Sequence, residues 1–236
     1  MNSTKIGFGL RALGAGIFLA ALGALGASAA AAQDIDSPYR FIETRHVLGP
    51  SGGYLLTDEG SARLGPASAA YFGARYSIRI SGPFAFDAGV AAVPTTRMVL
   101  DTVDADTILD VVGEADQTLG LLDAALRFDL TGPRTVYGLL PYAVAGVAVA
   151  FRVTGDDALD EDIDPNLRYD PGTSFAGQIG LGVEWLPTDR LSFRLDARDY
   201  LWQIEAPQGF AGLGPEVPAE EWVQNFGISL GLGYRF

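Results

Sequence analysis

From Trp222 to Phe236 the chain reads WVQNFGISLGLGYRF, and nearly every second residue is large and apolar. Phe226, Ile228, Leu230, Leu232, Tyr234 and Phe236 share one face, while Asn225, Gly227, Ser229, Gly231, Gly233 and Arg235 share the other. A period of two is that of a β-strand with unlike faces. The alternation recurs near 46–57, 67–80, 83–97, 118–130, 135–152, 173–187, 190–204 and 222–236, which predicts eight strands. Between them, SGP (Ser81–Pro83), TGPRT (Thr131–Thr135) and PTD (Pro187–Asp189) read as tight turns. The connections 58–66, 98–117, 153–172 and 205–221 are longer, and long alternates strictly with short. All long loops therefore fall at one end of an up-and-down antiparallel sheet.

The minor face decides which side is inside. Arg75, Arg79, Asp87, Asp123, Arg127, Asp129, Glu184, Arg194, Asp196, Arg198 and Arg235 all lie on the small, polar face. An even strand number, short turns at one end and long loops at the other are the pattern of a bacterial transmembrane barrel. There an Arg facing lipid at mid-depth costs ~2–4 kcal/mol, so the charged face is predicted to line the lumen. Gly73, Gly146, Gly180, Gly182, Gly227 and Gly231 are expected to make room for the long side chains. Charges in so narrow a tube must pair, and the planar fork of Arg suits carboxylates. Eight strands leave a bore just wide enough for side chains, which predicts a fixed salt-bridge plug. An ion or solute path through the same residues is the alternative.

Aromatic residues sit near strand ends, as interface girdles do. Phe84, Phe86, Phe128, Tyr137, Trp185, Phe193, Tyr234 and Phe236 are expected at the short-turn end. Tyr54, Phe72, Phe151, Phe175, Trp202 and Trp222 are expected at the other.

The N-terminus adds the compartment. Lys5 and Arg11, the apolar run Ala12–Gly26 and the small residues before Gln33 read as a cleavable secretory leader over 1–32. No other stretch approaches the ~18 apolar residues of a spanning helix. The chain has no Cys, so its stability does not come from disulfides. Beyond the leader no lysine remains, and 14 Arg face 29 Asp and Glu, a net charge of −15. That balance argues against nucleic acid as a partner. The four long connections hold 19 of the 29 acidic residues, an acidic crown.

Candidate chemistry is sparse. DEDID (Asp160, Asp162, Asp164) starts like a calcium loop, but Pro165 stands where Gly is required and the closing Glu is missing. His46, the only histidine, falls at the start of the first strand without an evident partner for acid–base work. The two GLG runs, 180–182 and 231–233, lie inside strands, so they are not nucleotide-binding turns. No catalytic residue, cofactor or metal site is expected. Over 33–45, Ser37 and Pro38 are placed like a helix cap and first turn, so a short helix or an ordered tail near the barrel's lower mouth is expected.

A leader, eight such strands and the ending GISLGLGYRF resemble the small eight-stranded outer-membrane β-barrel superfamily of the OmpA/OmpX type. The resemblance covers essentially all of the chain after the leader; with the two-domain members it extends to their barrel alone. It implies an outer-membrane address, lipid as surroundings, and recognition of Leu232, Tyr234 and Phe236 by the barrel-assembly machinery. The expected organisation is a leader (1–32), an N-terminal periplasmic segment (33–45) and a monomeric all-β, eight-stranded antiparallel up-and-down transmembrane barrel (46–236). Its expected role is structural or surface-interactive through the acidic loops. A porin-like channel is one alternative, and a soluble exported lipocalin-like binder, with the Trp185/Phe193/Phe236 face inside, is another.

Overall fold

The computed structural model describes residues 37–102, 109–155, 158–161, 163–164, 166–210 and 218–236. The leader expected over 1–32 lies outside them. The strands are β1 (Tyr39–Phe41), β2 (His46–Leu56), β3 (Ala69–Ser81), β4 (Phe84–Thr102), β5 (Leu109–Asp129), β6 (Arg134–Val136), β7 (Leu139–Gly155), β8 (Thr173–Trp185), β9 (Leu191–Glu205) and β10 (Glu220–Arg235). No described helix is long and apolar enough to cross a membrane.

Eight of these strands form a closed ring in the order β2-β3-β4-β5-β7-β8-β9-β10, every neighbour antiparallel. The last strand meets the first from Phe226↔Leu56 to Arg235↔Val47. Closure removes every sheet edge along the wall, which lets strands cross a hydrocarbon layer with no orphaned backbone groups.

Along each strand the two faces have opposite fates. Phe175 is 75% exposed and Leu230 68%, whereas Asp87 is 0% and Glu184 1%. Apolar residues thus form the outer wall, and charges are buried. Trp185, Phe193 and Phe236 are also exposed, so the lipocalin-like alternative, which needs them inside, is overturned. Their rings pack along the wall at the short-turn end: Trp185 stacks on Phe193, and Phe84 meets Phe128 edge-on. One girdle assignment fails. Trp202 is 4% exposed and points into the barrel, because Leu201 and Gln203 take the outer positions of β9.

One stretch differs from the sequence-based expectation, and another decides between two. The connection expected over 98–117 is largely strand, since β4 and β5 stay paired out to Thr102↔Leu109. About 9–11 residues suffice to cross the hydrocarbon, so this hairpin rises beyond it. There acidic side chains such as Glu114 and Asp116 face water at no cost. Of the short helix or ordered tail expected near Ser37 and Pro38, the structure has the tail: it is β1, paired with β6 from Tyr39↔Val136 to Phe41↔Arg134. A helix of one or two turns is marginal in water. Here the backbone finds fixed partners instead: Tyr137 donates to Pro38 O at 2.9 Å and Ile42 to Pro133 O at 3.0 Å. The guanidinium of Arg40 donates to Leu186 O at 2.8 Å, and that of Arg134 lies over the Tyr39 ring.

β6 adjoins β7, while β2 stands four places away on the opposite side of the ring. Residues 42–45, which join β1 to β2, therefore run across the opening at the short-turn end. Five Cα steps give that strap a reach of at most about 17 Å.

Candidate functional site

The lumen is filled in three layers. The first is the strap, tied inward by Arg235, whose Nε donates to Thr44 Oγ1 at 3.0 Å.

The second layer is a single web of ions. Arg75 grips Asp123 with two hydrogen bonds of 2.7 and 3.0 Å. Arg198 joins Asp123 (3.0 Å), Asp87 (3.4 Å) and Asp196 (3.4 Å). Arg194 connects Asp87 (3.1 Å) to Glu184 (3.6 Å). Glu184 in turn meets Arg127 at 2.8 Å and Arg235 at 2.7 Å. Asp129 receives Arg127 at 2.6 Å and Arg79 at 3.2 Å. The structure thus brings together all eleven charged residues singled out in the sequence, six arginines and five carboxylates, from six strands.

Sequence reasoning missed three neutral members. The Tyr142 hydroxyl donates to Asp196 at 2.6 Å, and the Arg127 guanidinium lies 3.8 Å over its ring. Gln178 accepts from Arg198 at 3.1 Å, and Ser77 bridges Asp87 and Arg194. Tyr142 was findable, since it lies an even number of residues before Gly146 in the same expected strand and so shares its lumen face; in the fold it pairs with Gly182, where an added Cβ would run into its ring. Gly73 and Gly146 serve another purpose than the one expected. A Cβ there would strike the backbones of β4 and β5, so these glycines permit strand contact rather than room for arginines. A cavity of about 20 Å³ remains beside Arg75, Ser192, Arg194 and Asp196. It has room for about one water molecule.

The third layer, at the long-loop end, is apolar and was not foreseen. Leu55, Val93, Leu119, Tyr200, Trp202 and Val223 point inward from the strands. Leu64, Ile163, Leu167 and Phe210, from three different loops, close over them. Arg97, 2% exposed between Thr95 and Val99 on the inner face of β4, is a buried charge at this level that the sequence reading did not single out. In the loop above β8, burial and the neighbouring Asp170 push the Tyr169 phenol up to about 12.

The remaining candidates do not assemble into chemistry. His46 hydrogen-bonds the Tyr76 hydroxyl at 2.7 Å and stacks on Phe236, a rim contact that holds the C-terminus. Among the described residues no group of three or more His, Cys, Asp or Glu could hold a metal. Asp162 and Pro165 of the calcium-loop pattern lie outside the described residues.

The family described as the outer membrane protein beta-barrel domain matches residues 17–236. No curated protein sequence matches the chain. Among solved structures, the outer membrane protein OprG of Pseudomonas aeruginosa aligns with a TM-score of 0.51 at 12% identity, covering 82% of this chain and 96% of that one. Neisserial surface protein A aligns with a TM-score of 0.48 at 15% identity, over 85% and 98% of the two chains. The N-terminal β-barrel domain of Pseudomonas aeruginosa OprF gives 0.40 at 14% identity, over 82% and 98%.

Proposed function

The chain belongs to the outer membrane protein β-barrel domain family and resides in the bacterial outer membrane, and from that premise we propose that it is a closed barrel with a structural or surface-interaction role. The observation that carries this reading is the continuous ion web across the bore. Each carboxylate in it touches at least one guanidinium, so opening a path would strand charges in a poorly hydrated tube. The apolar layer above and the strap below support the same reading, since ions cross neither readily.

Function on this view lies at the rims. The acidic long-loop end faces outward and is the surface offered to partners, and the outer wall is offered to lipid. Leu232, Tyr234 and Phe236 supply the signal for the assembly machinery, and the barrel works as a monomer without a cofactor or catalytic step. The test is conductance of the refolded protein in a planar bilayer at low and high salt. Folded protein is expected to be silent. Reproducible steps that shrink in Arg194→Gln or Asp196→Asn would make it a small channel instead.

A further inference from the structure

The β1–β6 ribbon lies outside the eight-stranded ring, yet its register carries the outer wall past the ring's lower edge. Val136 pairs with Leu139, and Leu139 with Trp185, which is half-exposed on the wall. Residues directly opposite each other in an antiparallel pair share a face, so Val136 faces outward as well. Tyr39, opposite Val136, and then Arg134 and its partner Phe41, two residues along each strand, continue that face. The other face is seated on the barrel: Thr135 is buried, and Arg40 is tied to Leu186 O.

The outward face joins apolar rings to a cation. Phe41 is 68% exposed, and Tyr137, in the two-residue turn into β7, is 80% exposed. Tyr137 holds a φ of 52° at a turn position that Asn and Gly usually fill. A ring is thus displayed there against the preference of the backbone. Arg134 stands opposite Phe41, which places their Cβ atoms about 4.5–5.5 Å apart. Its exposed guanidinium lies 5.2 Å from the centre of the Tyr39 ring, and among the described residues no carboxylate pairs with it. The exposed charges described at this end are Arg40, Arg45, Arg134 and Arg190 against Glu43 and Asp189. The short-turn end is therefore basic where the long-loop end is acidic.

We propose that this face binds an anionic phospholipid of the leaflet on the short-turn side. Arg134 holds the phosphate, and Phe41 and Tyr137 lie against the glycerol and upper acyl chain. Aromatic rings settle at that boundary, and a guanidinium binds phosphate oxygens through charge-assisted hydrogen bonds. The site rests on the lipid-facing wall and stands whether or not the lumen conducts, so the conductance test leaves it untouched.

The test is native mass spectrometry of the full refolded chain, released from micelles that hold equal amounts of phosphatidylglycerol and phosphatidylcholine. Wild type is expected to retain phosphatidylglycerol several-fold more often than phosphatidylcholine. Arg134→Gln should bring the two to parity, and Phe41→Ser should lower retention of both. Both side chains are exposed, so heat-modifiable migration in gels should show both variants folded. Arg190→Gln removes an exposed charge beside the β8–β9 turn, at the same end, and should leave the preference intact. Equal retention of the two lipids by wild type overturns the proposal. So does a loss in Arg190→Gln as large as in Arg134→Gln, since the charge of the whole end then attracts lipid without the ribbon. Arg134-dependent sedimentation with purified peptidoglycan, without a lipid preference, overturns it in favour of that polymer.

Discussion

Glu184 touches more arginines than any other carboxylate of the web, standing within 4 Å of Arg127, Arg194 and Arg235. Glu184→Gln keeps the shape and removes the charge, leaving those guanidiniums short of their shared counter-ion. Breaking a buried pair this way costs about 3–5 kcal/mol, to be read from urea unfolding in micelles. Asp189→Asn is the contrasting case. Arg40 meets Asp189 at 3.5 Å in the open, and exposed pairs contribute at most about 1 kcal/mol. Gly182→Val tests the packing instead. Its side chain would enter the space of the Tyr142 ring, and overpacking costs about 1–3 kcal/mol. Adding Tyr142→Ala should recover part of that loss, a non-additive pair measurable in the same assay.

At the scale of elements, strands were legible wherever both faces were constrained. In β8, β9 and β10 lipid outside and charge inside enforce alternation, so their bounds follow from the pattern. Where one constraint lapses, the reading strays. Past the hydrocarbon, the outer face of β4 and β5 is free to carry Thr96, Glu114 and Asp116, so the polar letters look like loop. Trp202 was misplaced because the inner face turns apolar at that height, and an inward Trp then looks like one of the girdle. β1 was hidden for a different reason: its partner, β6, lies about 95 residues on and no local pattern announces it. Removal of residues 37–43 should leave the eight-stranded ring intact, seen as unchanged heat-modifiable migration in gels. It should abolish hydrogen-exchange protection at Tyr137, whose amide is held by Pro38 O.

For the whole molecule, the fold is a soluble protein's inverted: large apolar side chains outside, ions within. Leu230→Arg, at a wall position 68% exposed, should destabilise the bilayer-inserted protein by about 2–4 kcal/mol. The matching lumen residue Ser229 sits only one step away, so a one-residue register slip would reverse every such choice. That global consistency is why the barrel, its charged lining and its lipid-facing wall could be read from single-strand patterns. The apolar cap at the long-loop end could not, because Leu64, Ile163, Leu167 and Phe210 come from loops whose convergence is set by closure of the ring.

The strap has a consequence for the order of events. Once β6 exists, β1 can join it, and that pairing gathers β2 through β5 into one loop before β8, β9 and β10 have taken their places. Residues 42–45 then limit how far β2 can stand from β7, so the half-built wall cannot spread beyond the strap's reach. β10 arrives last, at a gap whose width has been measured out by the other end of the chain.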